Sequence, residues 1–501
     1  MESLLSESSL TDSLLTQIRA RLPVVDGALQ AHARSPVCDY TRSGFRIAPS
    51  SFQPRQDLAD VLQRYVSPLL GEAVATAVSA DILSHPVALT ANHHGVDYFA
   101  QSVQGTLLFG LSTGATTLPV FACANIPLNN LTYPRGMLLY PEAKFAESAA
   151  NGAFPLKIPL FPDRLKRTIV ARAPALDATM LQNARKRLRA VSNDAPRLAE
   201  TALSLLQEEY EAEAVMAAAD YSDQAVMLNQ RVWSRLFAAN VSAPTLVYLE
   251  MEKIATMLLE YDLANPDSLA SILFFEQPLL RALDAELKGV NGSGTFLFWG
   301  VDDAGRRVSL GLTAEDGGAA TLRAVDGQQS DYAVPLTAGL LLQELHSGRL
   351  LPSLFTNFLV IALARGVTCA GGYYQASYLP RMQRGVLNAL QRHFGEDARF
   401  QAIAQAFTGF YLSGMQTVVT RTRDDGYVPA GPVEIIAAGG LDASAVARIR
   451  AMTVEQAHIA SLLETTADVM TGQGAMPEGW AATLAGECRH RLAGVPVTIE
   501  A

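Results

Sequence analysis

Apolar residues recur at helical spacing over 58–80 and then give way to PVALTAN (86–92), an unbroken apolar run with a polar end. Such a run predicts a strand buried on both faces. A loop with two histidines and a glycine follows, then a helical pattern over 96–111, then a second apolar run, LPVFACAN (118–125). The order strand, loop, helix, strand is the signature of a parallel α/β unit. Further strands are expected at 136–140 and 168–172, with Pro155, Pro159 and Pro162 between them. These elements define an α/β domain over 35–175. Residues 1–34 read as an N-terminal arm, frayed over the Ser-rich 1–10 and helical through Arg21 behind Thr11 or Asp12 as the cap.

Beyond Pro174 the pattern changes to long helical stretches at 176–192, 195–219, 222–239, 243–263 and 266–288, with Ser242 expected as an N-cap before Pro244. This is the helical block, 176–288. KGVNGSG (288–294) reads as a loop, and the segment after it as two strands around a DDAG turn, with a third strand at 320–325. Helices over 336–347 and 353–365 each run into a glycine, Gly348 and Gly366, where a left-handed cap is favoured. Residues 289–440 therefore form an α+β region. The last segment, 441–501, is helical, opened by Asp442 and carrying a capping-box pattern at Thr453 and Gln456. The expected fold class is mixed α/β: an N-terminal Rossmann-like parallel α/β unit, a helical middle block and a C-terminal α+β region.

The chain has 501 residues, 49% hydrophobic and 18% charged, enough to bury a large interior in about three units. Its net charge of -10, with no basic stripe, argues against a nucleic-acid partner. The longest central apolar run, 358–364, is far below the roughly 20 residues that cross a bilayer, so no membrane partner is expected. The opening MESLLSESSLTDSLL has an acid where a secretory signal carries a base. Four dispersed cysteines, Cys38, Cys123, Cys369 and Cys488, without a CxxC pair, fit reduced buried thiols. A cytoplasmic location is the expectation.

Candidate chemistry concentrates in ANHHGVDYF (91–99), where Asn92, His93, His94 and Asp97 fall between a strand end and a helix start. Ligands gather at such points in α/β folds because loops leave the strand ends there and helix N-termini present free N–H groups. A histidine beside a carboxylate can act as general base; the same groups can serve as metal ligands. With the helix starting near His93, Asp97 lies one turn on, on the same face. The spacing is one residue short of the Asn-His-x4-Asp of glycerolipid acyltransferases and of the His-His-x3-Asp of condensation-type acyltransferases. It also lacks the second histidine of His-x-Gly-His nucleotidylyltransferases, so no family is assigned.

Asn125, Asn129, Asn130 and Arg135 follow the second strand and are placed to hold an acceptor or its charged group, although such residues are also ordinary turn formers. Gln101 and Gln104 lie on the helix after the histidines, facing either this site or solvent. Tyr373, Tyr374 and Gln375 belong to a Gly-rich stretch suited to a substrate-site wall or a packing turn. The basic run around Arg164, Lys166 and Arg167 reads as a solvated face, and His346 and His393 as cations at helix C-termini. No flavin, NAD or P-loop nucleotide motif occurs, nor GxSxG or HExxH; the cofactor stays open.

The leading expectation is a small-molecule metabolic enzyme performing acyl-type group transfer. His93 or His94 is its general base, Asp97 orients that base, and Asn92, Gln101, Asn125, Asn129, Asn130, Arg135, Tyr373, Tyr374 and Gln375 bind substrate. The first alternative is a metal-assisted hydrolase with His93, His94 and Asp97 as ligands, the acids nearest in sequence being Glu142 and Asp163. The second is a non-enzymatic interaction or scaffold protein, with the helical block mediating partner or homo-oligomer contacts.

Overall fold

A computed structural model describes residues 9–45, 56–141, 154–287, 296–313, 319–325, 332–422, 426–470, 476 and 478–500. Residues 1–8, the loop 288–294 and Glu142, all invoked above, lie outside the described residues. The fold is mixed α/β. Its centre is one parallel sheet of β1 (Val87–Leu89), β2 (Thr117–Ala122), β3 (Thr245–Glu250), β4 (Thr368–Gly372) and β5 (Tyr411–Ser413), in the order β5-β4-β1-β2-β3. These strands come from three of the sequence segments set apart above, so the sheet crosses those boundaries.

Side chains alternate between the two sheet faces, and each face feeds its own core. Val247 and Leu249 of β3 join Ala88, Phe121 and Cys369 in one, whereas Leu246 and Tyr248 join Leu89, Val120 and Ala370 in the other. Burial on both faces explains why TLVYLE, expected within a helix over 243–263, is strand β3 followed by a helix at Met251–Leu263. A doubly buried strand has no polar face, so its period is silent, and its content of Thr, Val and Tyr is the surviving signal. Ser242 accordingly leads into β3 and caps no helix.

Other boundaries also move. The pattern over 58–80 is two helices, Gln56–Leu70 and Glu72–Ser84, broken at Gly71, whose φ of 88° is the left-handed region glycine tolerates. The crossover helix α1 (Ala100–Ser112) starts four residues later than expected, which leaves His93 to Phe99 as loop. Residues 136–139 form a strand as expected, but its partner is Leu156–Pro159, within the Pro-rich stretch, and Val170–Arg172 is a 3₁₀ turn and not a strand. Capping residues were more legible: Asp442 accepts from the Ala445 N–H, Thr453 and Gln456 form the capping box, and Gly348 and Gly366 have φ of 69° and 71°.

Two further helices position the site. After β4 the chain enters α2 (Gln375–Phe394), and the C-terminal segment contributes α3 (Val454–Val469). The first helix of the chain, Leu10–Arg21, is capped by Ser9 and buries Leu14, Leu15 and Ile18 in the core that includes residues of α3. No helix among the described residues is long and apolar enough to cross a membrane.

Candidate functional site

The sheet order creates one crevice. From β1 the chain crosses by α1 to β2 on one side, while from β4 it crosses by α2 to β5 on the other. Loops leaving adjacent strands in opposite directions open a cleft at the carboxyl ends, the usual ligand position in open α/β sheets. A cleft of about 380 Å³ opens at this point, within the size of small-molecule sites. Its walls include residues 90–93 after β1, Cys123 and Asn125 after β2, 372–375 after β4, and Gln101 and Ser102 of α1.

Two buried amides in the wall have their orientation set by their surroundings. The Thr106 hydroxyl donates to the Ser102 carbonyl, so it accepts from Asn92 Nδ2 at 3.1 Å; the same nitrogen donates to Asp97 Oδ2 at 3.1 Å. The Thr90 hydroxyl is directed at the Ala370 carbonyl and accepts from Gln375 Nε2 at 2.7 Å. Both amide nitrogens are thus engaged, and Asn92 Oδ1 and Gln375 Oε1 have no partner. Asn125 Nδ2 and Gln101 Nε2 are unpartnered donors in the same wall. Each buried polar group without a partner costs about 1–3 kcal/mol, so four around one cleft mark a place where a ligand or water completes the bonding.

The adjacent histidines diverge because successive residues in extended chain point opposite ways. His93 lines the cleft, with Nδ1 3.3 Å from Thr132 Oγ1. Burial pulls its pKa below the usual histidine value, opposed by a hydrogen bond with Asn130. His94 is fully buried on the other side, with Nε2 2.9 Å from Ser222 Oγ. Burial and then the charge of Lys253 push it down to about 3, so it stays neutral. Behind it, Ser222 donates to Glu250, which lies 3.8 Å from Lys253.

Asp97 is not one helical turn from His93, since α1 begins at Ala100. It accepts from Ser102 Oγ at 2.5 Å, from Asn92 and from the Phe99 N–H at 3.2 Å. Burial raises its pKa to about 6 against the lowering effect of those bonds. Asp97 therefore orients Asn92 and Ser102, and not a histidine. His93, His94 and Asp97 address three different sets of partners, and no group of three or more His, Cys, Asp or Glu placed for a metal occurs among the described residues.

The other expected residues separate. Asn92, Gln101, Asn125, Tyr373, Tyr374 and Gln375 line the cleft. Asn129 is exposed and anchored by its backbone N–H to Lys166, and Asn130 sits behind His93 and Thr132. Arg135 is directed to the Phe161 carbonyl and to Asp163 at 3.2 Å, where it braces its own turn. Gln104 is fully buried and clamps the backbone of Thr417, Val418 and Ala430.

Sequence reading missed Ser102, Thr132, Arg307 and Asp468, which also line the cleft, as does Tyr378 of the Gly-rich stretch. Ser102, beside Gln101 on the expected helix, was the one of these with a local signal. Arg307 and Asp468 come from a distant hairpin and from the end of α3, and the Tyr373 hydroxyl donates to Asp468. Glu252 was missed as well: fully buried, it accepts from the Ala124 N–H at 2.8 Å and from Cys123 Sγ, and so holds the loop that presents Asn125.

Comparison with protein-family models, curated proteins and solved structures finds no match for this chain. Function is therefore read from the chemistry of the cleft.

Proposed function

We propose that this protein is a small-molecule enzyme performing acyl-type group transfer, with His93 as the general base. The observation that carries it is the position of His93: an imidazole at the sheet's switch point, in the wall that also holds four unpartnered amide atoms. Burial lowers its pKa from the usual histidine value and so favours the uncharged ring, the form that accepts a proton. An acceptor hydroxyl or amine gives its proton to His93 as its oxygen or nitrogen forms the new bond to the acyl carbon. The bond from that carbon to the donor's ester or thioester sulfur or oxygen then breaks, and the leaving group takes the proton back.

Asp97 contributes indirectly by holding Asn92 and Ser102. His94 belongs to the buried Ser222–Glu250–Lys253 chain and maintains the fold. The divergence of His93, His94 and Asp97 favours base catalysis over a shared metal.

The test uses purified protein with acetyl-coenzyme A and a mixture of small amines and alcohols, following release of free thiol. Acceptor-dependent release that falls about 10²–10⁴-fold in His93→Ala, with the melting temperature retained, supports the proposal. Release unchanged by His93→Ala overturns the role of His93. No acceptor-dependent release from acetyl, longer acyl thioester or ester donors overturns acyl transfer.

A further inference from the structure

Three of the four unpartnered atoms of the cleft sort by strand, while the fourth, Gln101 Nε2, lies on α1. The two acceptors, Asn92 Oδ1 and Gln375 Oε1, belong to residues 1% and 4% exposed that follow β1 and β4. A donor, Asn125 Nδ2, belongs to a residue 2% exposed that follows β2. In the order β5-β4-β1-β2-β3 the acceptors thus lie towards β4 and the donor towards β2. The two charged residues of the cleft divide in the same sense. Asp468 is joined to Tyr373, just past β4, whereas the charge of Arg307 acts on the Cys123 thiol, just past β2.

A ligand matching this polarity has a donating, positive end and an accepting, negative end. A phosphate or simple carboxylate would set its oxygens against the carbonyl oxygens of Asn92 and Gln375. A simple amine would leave Asn125 and Arg307 without an acceptor. At about 380 Å³ the cleft holds a small molecule that carries both ends, and an amino acid carries an ammonium and a carboxylate within one small frame.

We infer that the cleft binds a free α-amino acid, its ammonium group held by Asn92 Oδ1, Gln375 Oε1 and Asp468 and its carboxylate by Asn125 Nδ2 and Arg307. This deepens the proposed function by naming the acceptor class, and it rests on the same cleft; the ammonium first loses one proton to solvent, and His93 takes the second as the nitrogen bonds to the acyl carbon. The volume left beyond the two charged groups houses the amino acid's side chain, along the wall built by Phe99, Leu131 and Tyr378.

The test is calorimetric titration of the full chain with each common α-amino acid, with its N-acetyl and carboxamide derivatives, and with inorganic phosphate. At least one amino acid is expected to bind, and to lose about tenfold or more in affinity when either end is blocked. Asn125→Asp, which sets a carboxylate against a carboxylate, and Asp468→Asn are each expected to weaken binding by about tenfold, with the circular dichroism of the wild type. No binding by any amino acid at about 10 mM overturns the inference, as does equal binding of the blocked derivatives or of phosphate. Binding unchanged in both variants overturns it too.

Failures of the two proposals separate. Amino-acid binding without transfer from any acyl donor sinks the transferase reading and leaves this inference standing. Transfer to acceptors lacking the paired amino and carboxylate groups does the reverse.

Discussion

Asp97 accepts a hydrogen bond from Asn92 Nδ2 at 3.1 Å, and that bond commits the amide nitrogen and leaves Asn92 Oδ1 without a partner. A carboxylate accepts only, whereas an amide in its place can either donate or accept. Asp97→Asn is therefore expected to free Asn92 to flip, weakening ligand binding by about tenfold without removing any group from the cleft wall. Titration calorimetry checks this; affinity equal to wild type would show that Thr106 alone orients Asn92.

The two neighbouring histidines should separate experimentally. His94→Ala removes a fully buried ring and its bond to Ser222, at a cost of about 2–4 kcal/mol. His93→Ala, at a half-buried cleft position, should cost less than about 1 kcal/mol. Urea unfolding measures both, and equal losses would contradict the assignment of separate roles.

Gly371 makes room for the Gln375 side chain. A Cβ at Gly371 would stand 2.5 Å from Gln375 Cδ and 2.7 Å from Nε2, while at Gly372 its nearest neighbour is 3.6 Å away. Gly371→Ala is expected to push the Gln375 amide off Thr90, costing about 1–3 kcal/mol and abolishing ligand binding. Gly372→Ala is the control, expected to bind as wild type, and thermal shift with and without ligand compares the pair.

Stability should rise on mild acidification. Burial pushes Glu464 up to about 8, and Glu250 and Glu434 up to about 7. Between about pH 4.5 and those values the folded protein keeps protons that the unfolded chain has lost, so lowering the pH through the window stabilises the fold. His94 and His458, depressed by burial to about 3 and about 4, act in the opposite sense only below their unfolded value of 6.5. From about pH 9 to about pH 7 the carboxylates act together with the buried cysteine thiols, which burial also pushes up, so the melting temperature should increase as pH falls. Glu464→Gln should flatten that increase; a profile of unchanged slope would contradict the assignment.

What the sequence determined by itself was local. The buried runs of β1 and β2, the intervening helix, the caps at Asp442, Thr453, Gly348 and Gly366, and the placing of Asn92 and His93 at a strand end all follow from neighbours within a few residues. Tertiary structure decided what depends on distant pairing. Strand β3 was hidden because burial on both faces erases its period; β4 joins the sheet only through parallel pairing with β1 across hundreds of residues, and β5 only through β4. That same pairing sends β1 and β4 apart and so opens the cleft. Likewise, which of His93 and His94 faces it depends on Ser222, and the approach of Arg307 and Asp468 depends on a distant hairpin and on α3. Spacing along the chain encodes which residues share an element, but a site at a switch point is assembled by the order of strands, which local spacing does not contain.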